Sequence, residues 1–286
     1  MGAEPPAAPA PRRRTGRRAR AVARYALLTL GAVVVLFPLY MTVVNSLLSP
    51  ALLDHQPPYL YPAHPQWSTY ATAWSQGHLG VYLRNSAVQT AIIVVGQLAT
   101  SILAAYAFVF LRFPLRRTLF VVFLSTMMIP FEVTMITNLS TIDGLGWYNT
   151  FQGLTVPFLA TGFGTFLLRQ AFLQIPRDLQ EAAALDGYGH LRFMARVAVP
   201  LARPVMAALA VFSFLGAWNQ YLWPLLVTGD NDNVRTVQIG LKALQGSQVT
   251  SFDVTLAGAV IAVAPLLVLL VVFQKQLVRS LTGAVK

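Results

Sequence analysis

Charge-free apolar runs recur along the chain at lengths near those that cross a bilayer. Tyr25–Leu53, Asn85–Leu111, Gly144–Leu168, Pro204–Gly229 and Val254–Gln274 contain no Asp, Glu, Lys or Arg. A sixth run, Thr118–Ile142, is interrupted only by Glu132. A helix needs about 20 predominantly apolar residues to traverse the hydrocarbon. The pattern therefore predicts an all-α integral membrane fold with six spans, over 25–47, 86–111, 118–137, 150–172, 204–227 and 254–274.

Composition agrees. Of the 286 residues, 56% are hydrophobic and only 11% charged, against about 25% charged in soluble domains. So few charges cannot cover a globule of this size, which excludes a soluble enzyme. The chain has no cysteine, so disulfides and thiolate chemistry are excluded too. The net charge is +11, and its distribution predicts the topology. With the N-terminus in the cytoplasm, all but three of the 21 lysines and arginines fall inside. The exceptions are Arg84, Arg235 and Lys242. Such a bias predicts that both termini are cytoplasmic. Residues 1–24, rich in proline and arginine, read as a disordered basic tail that touches anionic lipid rather than nucleic acid. The first span is longer than the apolar core of a signal peptide and reads as a retained helix.

One cytoplasmic connection is long. It runs from Ile175 to Pro204, and its centre, 175–203, forms an elbow. Pro176 and Asp178 suit a helix start. Leu179, Ala182, Ala183 and Asp186 follow at helical spacing, and Gly187 and Gly189 permit a turn. A second short helix carries Leu191, Met194 and Val197, and Pro200 and Pro204 close it. Glu181-Ala182-Ala183, Asp186-Gly187, Phe193, Val197 and Pro200 resemble the EAA loop of bacterial ABC-importer permeases. Further segments resemble the carbohydrate-type branch of that family, including Arg84–Arg117, Met127–Ile136, Gly144–Phe158, Trp218–Leu226 and Phe273–Lys286. Asn219-Gln220-Tyr221 and the Arg112–Arg116 segment are most similar to the second permease of glycerol-3-phosphate or glycerophosphodiester importers.

The resemblance implies a type I ABC-importer permease that forms half of a translocation pathway. It implies Glu181, Ala182, Ala183, Asp186 and Gly187 as the surface coupling to an ATPase. The implied partners are a second homologous permease, ATPase subunits in two copies and an extracytoplasmic solute-binding protein, at the inner membrane of a bacterium. The chain itself has no phosphate-binding loop, since Gly162 and Gly164 sit in an apolar span without the required lysine. It carries no cofactor of its own, and ATP and magnesium belong to the ATPase.

Within the spans, Trp218, Asn219, Gln220, Tyr221 and Trp223 form the densest polar-aromatic cluster. Amide groups with aromatic plates suit polyols and sugars, so these five residues are candidate pathway lining. The alternative is an interfacial aromatic belt with Asn219 bonded to a neighbouring helix. Helical spacing puts Asn219 and Trp223 on one face and Trp218 and Tyr221 on another. Glu132, the lone carboxylate within a predicted span, must face the pathway, pair with another chain or be protonated. His55, His64 and His78 fit no metal-ligand spacing. A neutral oligosaccharide remains the alternative substrate. A secondary transporter remains the alternative class, but it leaves the elbow without a use.

The topology is testable with single cysteines at Ser75, Asn231 and Gln180. An impermeant thiol reagent outside the cell should label the first two and spare the third. The reverse pattern would overturn the orientation.

Overall fold

The computed structural model describes residues 15–229, 231–246 and 251–283, and the described residues contain helices and connecting turns but no strand. Helix α1 (Thr15–Ser46) is followed by short α2 (Pro50–Leu53) and α3 (Ser68–Gln76), then by the long α4 (Leu79–Phe110). Next come α5 (Arg116–Ser125), α6 (Phe131–Gly144), α7 (Phe151–Thr155) and α8 (Gly162–Leu173). The elbow contains α9 (Arg177–Leu185), α10 (His190–Phe193) and α11 (Val199–Leu201). Helices α12 (Arg203–Trp218), α13 (Leu222–Val227), α14 (Val237–Gly246) and α15 (Phe252–Gly283) complete the chain.

Helix α1 starts at Thr15, so the basic stretch up to Arg24 is helical and not the disordered tail expected. Arginine and alanine are good helix formers, and here they extend a helix whose apolar body is already nucleated. Residues 1–14 of the expected tail lie outside the described residues.

Three helices are long and apolar enough to cross alone: Arg20–Ser46, Leu79–Phe110 and Phe252–Gln274. The other spans are broken. The third turns by 96° between Met128 and Phe131, and the fourth by 46° between Phe158 and Gly162. In the fifth, the elbow joins α12 at 78°. That helix then stops at Trp218 and resumes as α13. The single helix expected over 204–227 is therefore two. Proline accounts for the breaks: it lacks the N–H that would pair with the carbonyl four residues earlier, and its ring crowds that carbonyl. Pro130 stands at the 96° turn, Pro157 ahead of the 46° bend, and Pro224 four residues past the Gln220 interruption.

Helix α4 is the central pillar, packed on α8 and α12, while α15 receives α1, α12, α14 and α3. One core cluster joins Leu79, Tyr82, Trp218, Val237, Leu244 and Ala257 near the N-terminal end of α4. A second joins Tyr106, Leu168, Phe172, Ala183, Phe193 and Leu209 at the elbow end. Helix α1 rests on α15 and exposes most of its apolar side chains, as does a helix that meets lipid or another subunit.

Gly164 sets the closeness of α4 and α8. A Cβ there would lie 2.4 Å from Ser101 Oγ, 2.8 Å from Thr161 Cγ2 and 3.1 Å from Leu209 Cδ2. The Gly164→Ala variant should lower the thermal unfolding midpoint of the purified protein, because overpacking costs ~1–3 kcal/mol. Adding Ser101→Ala removes the nearest clash together with a buried hydroxyl that has no partner, so the double variant should recover part of the loss. Undiminished stability in Gly164→Ala would show that the helix pair yields freely.

Candidate functional site

Two regions collect the residues that the sequence singles out. The first lies where the broken spans meet. A cavity of about 290 Å³ is lined by Phe131, Glu132, Met135, Phe158 and the stretch Asn219–Trp223. It brings Glu132 together with Asn219, Gln220, Tyr221 and Trp223. Glu132 is exposed and stands in the first turn of α6, where the positive end of the helix favours a carboxylate. Asn219 caps α12, and its Nδ2 donates to the Leu215 carbonyl at 2.9 Å. Gln220 Oε1 accepts from Gln89 Nε2 at 2.7 Å. Beyond Gln220 and Phe158, a second cavity of about 260 Å³ continues past Gln97, Thr161 and Ser213. The two spaces share Gln220 and Phe158 and make a polar-aromatic groove along α4, α12 and the breaks.

The chain break at Asn219–Tyr221 removes the helical faces expected there, because residues 218–223 do not share one helix. It also divides the two tryptophans: Trp223 lines the cavity with Glu132 and Trp218 does not. Trp218 is buried in the core cluster of Tyr82 and Val237, stacked on Phe214. Its Nε1 donates to the Ala262 carbonyl at 3.2 Å, within one turn of Pro265 in the continuous α15. Trp223 presents its edge to the cavity but is itself 2% exposed. Its Nε1 donates to the Gly153 carbonyl at 3.1 Å. That is the carbonyl Pro157 would serve if proline had an N–H. Both indoles thus replace or supplement backbone donors, a geometric role that ring chemistry alone does not reveal.

Helix α4 supplies the same service with residues overlooked in the sequence. Gln97 Nε2 donates to the Phe158 carbonyl at 2.8 Å, and Thr100 Oγ1 to the Leu159 carbonyl at 2.7 Å. Ser213 Oγ donates to Gln97 Oε1 at 2.6 Å. The available signal was a polar stripe, since Gln89, Gln97 and Thr100 recur on one face of an otherwise apolar helix.

The second region is the elbow. Tyr188 N–H donates to the Ala183 carbonyl at 2.8 Å and Gly187 N–H to that of Ala184 at 3.0 Å. With Gly187 at φ +74°, this is the full double-bonded left-handed helix end. Asp186 is the residue at which α9 caps. Ala183 is buried against Phe172, Phe193 and Tyr106, whereas Glu181 and Ala182 face outward. A larger side chain at 183 would lift the helix from its seat. His190 Nδ1 and Tyr106 Oη lie 3.1 Å apart and tether the elbow to α4. At its tip, Leu185 is 90% exposed and Leu191 75%. These leucines make an apolar surface that no other described residue covers. A one-turn π-helix over Met194–Ala198 links the elbow toward α12.

Comparisons with known proteins agree over most of the chain. Residues 97–283 match the family described as binding-protein-dependent transport system inner membrane component. The chain belongs to that family. Its curated relatives include the sn-glycerol-3-phosphate transport system permease protein UgpE of Rhizobium meliloti (strain 1021), 37% identical, covering 91% of this chain and 95% of the relative. UgpE of Yersinia pestis bv. Antiqua (strain Antiqua) is 34% identical, covering 94% of this chain and 99% of that protein. The crystal structure of a bacterial ABC transporter involved in import of the acidic polysaccharide alginate superposes with a TM-score of 0.79 at 23% identity. It covers 93% of this chain and 99% of that one and shows a common fold. This inner membrane component is therefore a membrane-embedded ABC-importer permease and not an enzyme. Its family works with a partner permease, an ATPase and a solute-binding protein.

The cap role of Trp223 is separable from a plate role. Trp223→Phe keeps an aromatic ring and removes the N–H, leaving the buried Gly153 carbonyl unpaired at a cost of ~1–3 kcal/mol. The thermal unfolding midpoint in detergent should fall. A variant as stable as the parent would return Trp223 to the status of a plate.

Proposed function

We propose that this permease forms half of the pathway of an ATP-driven importer for glycerol-3-phosphate or a glycerophosphodiester. The observation that carries the reading is near-full-length similarity to proteins named as sn-glycerol-3-phosphate permeases. The groove supports a division of labour. Its cavities are lined by amides and aromatics, with Glu132 as the single charged residue and no Arg or Lys. Phosphate is ordinarily held by arginine, lysine or helix N-termini. Asn219, Gln220 and Tyr221 therefore offer weak hydrogen bonds to a polyol in passage. The solute-binding protein or the sister permease recognises the charge. Glu132 stands at the groove's rim and contacts the sister permease or a cationic headgroup. A pathway without basic groups also suits a neutral oligosaccharide, which is the second reading.

The elbow, on the cytoplasmic side, is the coupling element. Glu181, Ala182 and Ala183 enter a groove on the ATPase, Leu185 and Leu191 bury their exposed side chains there, and Asp186 and Gly187 hold the bend. Two ATPase copies bind ATP and magnesium. Their closure rocks the spans as rigid bodies between inward-open and outward-open states.

The complex of both permeases, ATPase and binding protein, purified in lipid nanodiscs, should hydrolyse ATP faster when the binding protein carries glycerol-3-phosphate. Gly187→Pro should abolish that stimulation, because proline can neither adopt a positive φ nor donate to the Ala184 carbonyl. Helical content should be retained. Stimulation by a neutral oligosaccharide alone would replace the substrate assignment, and full stimulation of an assembled Gly187→Pro complex would remove the elbow from coupling.

A further inference from the structure

The largest polar cleft outside the groove lies between the end of α4, the turn into α5 and the face of α9. It has a volume of about 600 Å³, and Arg112, Arg116, Arg177, Gln180 and Glu181 line it, with Phe110 and Phe113 on its apolar side. Three guanidinium groups thus face one carboxylate. Among the described residues, none of the three arginines makes an ion pair. Arg116 is partly committed, since its Nη1 donates to the carbonyls of Leu111 at 3.0 Å and Val109 at 3.3 Å. These bonds close the exposed end of α4 and fix the turn, whose Leu115 adopts a left-handed φ of 57°. Arg112 and Arg177 make no side-chain hydrogen bond among the described residues and project from different elements onto one cleft.

A positive cleft with a hydrogen-bonding rim, at the depth where α4 leaves the membrane, is matched to an anionic phosphate. Guanidinium forks bind phosphate oxygens bidentately, and basic pockets between spans on the cytoplasmic side hold phospholipid headgroups. We propose that this cleft binds an anionic phosphate group, bridged between Arg112 on the turn after α4 and Arg177 at the start of α9. Its occupancy ties the coupling helix to the span it must move. The site is separate from the translocation groove and rests on the cytoplasmic placement of the elbow. The phosphate has two possible sources at that surface: the headgroup of an anionic lipid, and free phosphate or a phosphomonoester in solution.

The test uses the assembled complex in a phosphate-free maltoside detergent. Native mass spectrometry with phosphatidylglycerol probes the lipid source, and equilibrium dialysis with radiolabelled inorganic phosphate probes the soluble one. Saturable binding of either supports the site and names its source. Arg112→Gln and Arg177→Gln should each weaken it by about fivefold. Arg116 is kept, because its carbonyl bonds hold the turn. Arg117→Gln is the control, since Arg117 is exposed nearby and does not line the cleft; it should leave binding unchanged. No saturable binding of either probe would overturn the proposal. So would equal weakening by Arg117→Gln, which signals diffuse surface charge. ATP hydrolysis stimulated by the loaded binding protein, measured in the same preparation, reports separately on the importer reading.

Discussion

Inside a bilayer a backbone carbonyl that loses its helical donor has no water to replace it. This constraint organises the molecule. Prolines at 130, 157 and 224 stand at the interruptions of three spans, and Pro265 lies within a fourth. Each break frees carbonyls at depth. Trp223 serves Gly153, Gln97 serves Phe158, Thr100 serves Leu159, and Trp218 reaches Ala262 beside Pro265. The first three donors come from other helices, so the break of the fourth span is also a crosslink. Helix α4 is continuous because it must present Gln89, Gln97 and Thr100 in register to its broken neighbours.

The same breaks make the groove. A packed bundle of straight apolar helices has no polar lining, because its backbone groups are all turned inward on themselves. Where α12 stops at Trp218 and the chain turns before α13, Asn219 and Gln220 leave the helix and meet Glu132 at the start of α6. Backbone irregularity at membrane depth is tolerated where it lines a cavity, and here the cavity lies at the irregularity. Because the lining contains amides and rings but no cation, a passing polyol would be held weakly, which suits transit better than storage.

The elbow poses a different problem. As the proposed coupling element it needs to be rigid enough to transmit a push and exposed enough to receive one. The left-handed end at Gly187, the seat of Ala183 among Phe172 and Phe193, and the Tyr106–His190 contact supply rigidity. The outward leucines at 185 and 191 supply the surface. The second core cluster packs the elbow against α4, α8 and α12.

Span number, the apolar character of the helices and the elbow's motif were legible in the chain. Each depends on local composition and spacing: about 20 apolar residues cross a bilayer, and only glycine takes a left-handed end without strain. Glu132, Asn219, Gln220 and Tyr221 were legible as polar or amphipathic residues in hydrocarbon, and they do share one cavity. Tertiary structure decided the rest. Which carbonyl a tryptophan N–H reaches depends on how two helices cross, so the backbone bonds of Trp218 and Trp223 could not be read along the chain. The stripe of Gln89, Gln97 and Thr100 has meaning only beside the breaks it closes. Arg112 and Arg177 lie 65 positions apart in sequence, and only the packing of the elbow against the end of α4 brings them to one cleft.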